Sequence, residues 1–158
     1  MVQERPNFEK PKPNSGRVLK WEDIERKDGL LTSITLYGTT PATAANYEAF
    51  FTAPRPLEIL WASESHRVLG TDAGAVTLNL EILDSGEALG AGDLVLSSAW
   101  NLKSTINTPV TKQGTDFTTT RVLKQGQRLA LLDTGTLTAV AGLTVTIYFK
   151  SANRGDYF

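Results

Sequence analysis

The pattern of apolar and polar positions is clearest near the C-terminal end. From residue 143 the chain alternates, with Leu143, Val145, Ile147 and Phe149 on one side and Thr144, Thr146 and Tyr148 on the other. A period of two is that of a half-buried strand, and Thr, Val, Ile, Tyr and Phe all suit a pleated surface. A second apolar run covers residues 128–132. Between the two runs lies a turn-rich segment holding Asp133, Gly135 and Gly142, so the spacing predicts two strands joined by more than a tight hairpin.

The same signal recurs upstream. Residues 30–37 (LLTSITLY) predict a first strand, and residues 46–52 a short strand or turn rich in aromatics. Pro54 and Pro56 delay the next strand to residues 57–62, where Leu57, Ile59 and Trp61 fall in phase and predict a core face that includes Trp61. Residues 66–69 are expected to continue it past a bulge. Residues 75–83 alternate cleanly, Val76, Leu78, Leu80 and Ile82 inward against Thr77, Asn79 and Glu81 outward. A glycine-rich loop is expected over 84–93, then strands over 94–97, 102–110 and 117–123, with a turn at Gln113 and Gly114. Eight to ten short strands at these spacings predict an all-β fold, an antiparallel β-sandwich. Ala73-Gly74 and Ala141-Gly142 each launch a long alternating strand, an internal echo that suits a double Greek key of the jelly-roll type.

Residues 1–29 break the pattern. Pro6, Pro11 and Pro13 favour extended backbone, and thirteen of these residues are charged. Apolar residues are few, and alone they bury too little to offset the entropy of ordering the segment. An extended N-terminal arm is expected here, ahead of a sandwich domain over 30–158. Its candidate partner-binding residues are Phe8, Val18, Leu19, Trp21 and Ile24, since apolar anchors on a polar arm are natural interface hot spots.

Composition narrows the function classes. The chain has 158 residues, enough for one domain with a substantial core, and a formal net charge of −1, which argues against a nucleic-acid partner held by bulk charge. With no cysteine there is neither a disulfide nor a thiolate zinc site. No apolar run reaches about 18 residues and no secretory leader is recognisable, so no membrane span is expected, and an intracellular product, or one carried out of a cell inside a larger assembly, fits best. Twenty threonines reinforce the β reading.

Candidate chemistry is sparse. His66 is the single histidine; Ser63 and Ser65 beside it form no GxSxG elbow, and it reads as a polar residue near a strand end. Glu58, Glu64, Asp72, Asp84, Glu87 and Asp93 read as solvated acids at strand edges and in loops. The loop over 84–93 lacks the alternating acids of a calcium loop and the Lys-Ser/Thr of a phosphate loop. Among the aromatics, Trp100 heads a polar stretch and is the one expected to be exposed, a possible ligand or interface residue, with a carbohydrate as the natural ligand. No enzyme activity, metal or cofactor is expected.

Four phrases together carry a resemblance: TTPATAANYEAFFTAPRPLEI (39–59), ASESHRVLGTDAGAVTLNLEIL (62–83), AWNLKSTINT (99–108) and GQRLALLDTGTLTAVAGLTVTIYF (126–149). They resemble small β-sandwich proteins encoded among tailed-phage structural genes, a group similar to capsid decoration, or cement, proteins with a jelly-roll core. The resemblance covers residues 30–150 and leaves the arm outside. It offers no motif from which a functional residue can be transferred. It implies a virion structural protein, made in the host cytoplasm and located on the capsid surface, with the major capsid protein and sister copies in a homotrimer as partners. The alternative it leaves open is a phage fibre or receptor-binding module for host carbohydrate, with Trp100 and loop 84–93 near the site.

Overall fold

The computed structural model describes residues 30–36, 49–137 and 139–152; for 30–36 it gives the backbone. The arm residues Phe8, Val18, Leu19, Trp21 and Ile24 lie outside the described residues.

The described chain is all-β. Ten strands follow in order: β1 (Leu30–Leu36), β2 (Ala49–Thr52), β3 (Leu57–Ser65), β4 (Thr77–Leu83), β5 (Asp93–Leu94), β6 (Trp100–Asn101), β7 (Val110–Gln113), β8 (Val122–Leu123), β9 (Arg128–Thr134) and β10 (Leu143–Ser151). A single 3-10 turn, Gly114–Asp116, interrupts them, and no helix among the described residues is long and apolar enough to cross a membrane. The strands form two antiparallel sheets. One has the order β1-β10-β3-β7, with β8 also on β3; the other has β2-β9-β4-β5, with β6 also on β4. Successive long strands therefore alternate between sheets. The two apolar runs at the end of the chain do not pair: β9 joins β4 and β10 joins β3, which is why their connection exceeds a hairpin.

The core lies between the sheets. Leu143, Val145, Ile147 and Phe149 of β10 face Leu78, Leu80 and Ile82 of β4 and Leu129 and Leu131 of β9, all buried. The rings of Phe51 and Phe149, one from each sheet, stack with centroids 5.0 Å apart. The inward positions of β4 and β10 match the alternation in the sequence, because threonine, asparagine and glutamate leave the other face wet or hydrogen-bonded.

Three expectations need correction. Trp61 is not in the core. Phe149 pairs with Ile59 and Tyr148 with Trp61, so Leu60 is an extra residue, a β-bulge that shifts every later side chain of β3 to the opposite face. Inward positions run Leu57, Ile59, Ala62 and Glu64, while Trp61 stacks on Tyr148 at 6.0 Å on the outer face. Residues 102–110 form no strand: turns follow β6, and pairing resumes at β7. The strand expected over 94–97 shrinks to β5 and a single bridge from Leu96 to Phe117, and the one over 117–123 shrinks to β8.

Glycine-rich loop 84–93 is fastened onto the outer face of the second sheet. The Glu81 carboxylate, though on the outward side of β4, is buried because it accepts from Gly90 N at 2.9 Å and Gly92 N at 2.7 Å. Arg128 donates to the carbonyls of Asp84 and Glu87, tying the loop's start to β9. A Cβ on Gly92 would stand 2.2 Å from the Ile82 carbonyl oxygen, so only glycine allows the loop to lie this close.

Candidate functional site

Two neighbourhoods hold the side chains with chemical interest. The first is the end of the sandwich where β3 runs out. The bulge at Leu60 turns Glu64 inward, and the register places it opposite Val145 and Val110. His66 follows on the same side. Its imidazole Nδ1 donates to Glu64 Oε1 at 2.7 Å, and each residue is 1% exposed. The His66 Nε2 is buried with no partner. An unpaired lone pair there costs less than an unpaired N–H, so we assign the proton to Nδ1 and the negative charge to Glu64. Burial pushes the Glu64 carboxyl above its ordinary range, against the hydrogen bond and charge of His66, which lower it. Glu64 is thus not the solvated acid that spacing suggests, and His66, though at the strand end as expected, is buried. The bulge, which period-two reading cannot see, put them inside.

Among the described residues the pair has no third member. No group of three or more His, Asp or Glu among the described residues is placed to hold a metal. No described serine hydroxyl is bonded to His66 Nε2, since that atom has no partner. The arrangement is a buried hydrogen-bonded pair at the end of β3.

The loops above the pair are tied to it through the backbone. Asn107 N donates to the His66 carbonyl at 2.7 Å, and Gly70 N donates to the Leu102 carbonyl at 3.0 Å. Nearby, Asp72 accepts from the Thr136 amide at 3.0 Å, from the Thr136 hydroxyl and from the Ala73 amide. These bonds, with the Lys103 charge, hold its carboxyl below the ordinary value. The Lys103 ammonium in turn donates to the Asp72 and Gly74 carbonyls.

The second neighbourhood is the outer face of the β1-β10-β3-β7 sheet. Trp61 and Tyr148 stack there, half-buried. Toward β8 the Glu58 carboxylate meets Lys150 at 2.7 Å and Arg121 at 3.1 Å. Glu58 is itself nearly covered by these two cations, another acid the sequence had placed in solvent. Its position on β3, between Lys150 of β10 and Arg121 just before β8, becomes legible only once the sheet order is known.

Trp100 is not an exposed ligand residue. It is 1% exposed, pairs through β6 with Leu78 and donates its indole N–H to the Val110 carbonyl at 2.9 Å. The indole fills the core and closes a gap in the backbone bonding at the entry to β7, as buried tryptophans do when one edge is polar. The polar run after Trp100 misled because it belongs to turns outside the sandwich, whereas the tryptophan begins a short strand on β4.

No protein-family model matches the sequence, and none of the curated proteins compared with it does. Among solved structures, the chain is similar to one from the Cyanophage Pam1 capsid asymmetric unit. That match has a TM-score of 0.51 and 14% identity, and it covers 79% of this chain and 86% of the other. At that identity the likeness is one of fold.

Proposed function

We propose that this chain is a virion structural protein that decorates and stabilises a phage capsid, binding the capsid lattice as an oligomer. The observation that carries the reading is the strand order. Long strands alternate between two sheets, β1, β10 and β3 in one and β2, β9 and β4 in the other, and this β-sandwich has the fold of a chain from a cyanophage capsid. The same order supports a jelly roll, since successive strands of four or more residues sit in opposite sheets and the first and last strands pair.

The physics of the sandwich suits the role. A shell component has to be stiff, and here the core is continuous from Leu57 to Phe149 and loop 84–93 is bonded down on its outer face. The buried Glu64–His66 pair is satisfied within itself except at one lone pair, which supports a non-catalytic reading. Attachment falls to the arm, with Phe8, Val18, Leu19, Trp21 and Ile24 as its apolar anchors on the major capsid protein or on sister copies. A homotrimer is the assembly we favour, because closed cyclic oligomers match the symmetry axes of a shell.

Deleting residues 1–29 tests this. The truncated sandwich should keep its cooperative unfolding and lose capsid association. Full capsid occupancy by the truncated protein would remove the arm from the account.

A further inference from the structure

Four large apolar side chains are exposed among the described residues, and three of them sit together at one end of the sandwich: Val68 at 40%, Leu69 at 39% and Ile106 at 43%. Val68 and Leu69 follow the buried His66, and Ile106 precedes Asn107, whose amide is bonded to the His66 carbonyl. The Val68 bridge to Ala141 and the Gly70 bond to Leu102 fix both loops. Asn107 adopts φ +54, the left-handed region that asparagine tolerates well, in the turn directly after the exposed Ile106. Isolated exposed apolar residues need no explanation, but a fixed cluster does. Beside it Arg67 is exposed and pairs with no acid among the described residues. The surface is therefore apolar with one unmatched cation.

The chain contains a segment with the complementary chemistry. Residues 18–25, VLKWEDIE, carry Val18, Leu19, Trp21 and Ile24 with three acids and one lysine, a net charge of −2. From these observations we propose that residues 18–25 of one copy dock on the Arg67, Val68, Leu69 and Ile106 surface of a neighbouring copy. It rests on the oligomer in the reading above, but not on what that oligomer decorates.

Reach favours the neighbour for Ile24 and Glu25, whereas Trp21, nine residues before Leu30, spans up to about 30–32 Å. The arm joins the sandwich at Leu30, which pairs with Phe149, whereas the surface lies beyond Leu143, at Val68 opposite Ala141. At about 3.4 Å per residue, the eight steps of β10 line from 149 to 141 span about 27 Å. Six fully extended residues from Leu30 back to Ile24 span at most about 20–22 Å, before any detour around the sheet. Ile24 and Glu25 therefore fall short of their own chain's surface. A contact that joins opposite ends of two copies is head-to-tail, and repeated by rotation it closes into a ring.

Because the chain has no cysteine, introduced thiols report on this contact alone. Two full-length proteins, Trp21→Cys and Ile106→Cys, differing in tag size, are mixed and oxidised. A covalent heterodimer is expected, and the double variant should give covalent oligomers. Cross-linking no greater than a Trp21→Cys and Leu94→Cys control, or a purely intramolecular link in the double variant, would overturn the proposal. Arg67→Glu should weaken self-association about tenfold or more, with recovery on adding Glu25→Lys. Unchanged association in Arg67→Glu, with its thermal unfolding also unchanged, counts against the contact. If cross-linking fails while capsid co-sedimentation persists, the contact falls and the decoration reading stands; the opposite pair of results keeps the contact and drops decoration.

Discussion

The imidazole of His66 donates to Glu64 over 2.7 Å within the sandwich, where each residue is 1% exposed. Removing one partner strands the other. Glu64→Ala is expected to destabilise the fold by about 1–3 kcal/mol, the cost of leaving the His66 Nδ1–H buried without its acceptor. Replacing both, with Glu64→Leu and His66→Phe, should recover most of that loss. Urea denaturation of the wild type, Glu64→Leu, His66→Phe and the double variant measures the coupling. Additive losses from the two single variants would show that the pair does not act as a unit.

Asp133 should be improved by neutralisation. Its Oδ1 is buried without a partner, and burial pushes its carboxyl above the ordinary value of 3.8. The folded state therefore binds this proton more tightly than the unfolded chain does. The resulting stabilisation is complete below about pH 3.8 and is lost as pH rises through the folded value. Asp133→Asn is expected to raise Tm by a few degrees at pH 7 and to leave it unchanged near pH 3. Asp72 works in the opposite sense: its lowered carboxyl contributes stability above the ordinary range, and that contribution is lost as pH falls through the folded value. Asp72→Asn should therefore lower Tm at pH 7 and matter less in acid.

Trp100 is expected to behave as core. Trp100→Ala should cost about 3–5 kcal/mol through the cavity it leaves, and Trp100→Phe a smaller amount that includes the unpaired Val110 carbonyl. Thermal denaturation checks both. Near-native stability in Trp100→Ala would contradict the packing described for it.

Two glycines with the same φ of +85 separate strain from collision. At Gly126 a Cβ meets open space, and at Gly135 it would lie 2.0 Å from the Ala75 carbonyl oxygen. Gly126→Ala should cost about 1–2 kcal/mol, the left-handed penalty alone. Gly135→Ala should cost clearly more, because backbone has to move. Equal losses would show that the turn before Leu137 adjusts freely.

Much of the scaffold was legible in the residues. The alternation of β4 and β10 fixed both their type and their inward faces, and β1 and β9 were found as apolar runs. Local irregularity hid the rest. One extra residue, Leu60, reversed the face of Trp61 and buried Glu64, and nothing in the spacing of residues 57–65 announces a bulge. Glu58 and Glu81 looked solvated because their partners, Lys150, Arg121 and the amides of Gly90 and Gly92, come from elsewhere in the chain. Trp100 was judged by the polar residues after it rather than by the strand it begins. The docking surface was invisible for a similar reason, since Val68 and Ile106 meet only through the His66–Asn107 backbone bond.

The central claim is attachment to a shell, and co-sedimentation of the full-length protein with particles built from the major capsid protein tests it most directly. The account predicts saturable binding as a multimer, measured by light scattering, at a fixed ratio of copies to capsid subunits, with binding lost on deletion of residues 1–29. Protein that stays in the supernatant at saturating particle concentration, while folded and oligomeric, would contradict it.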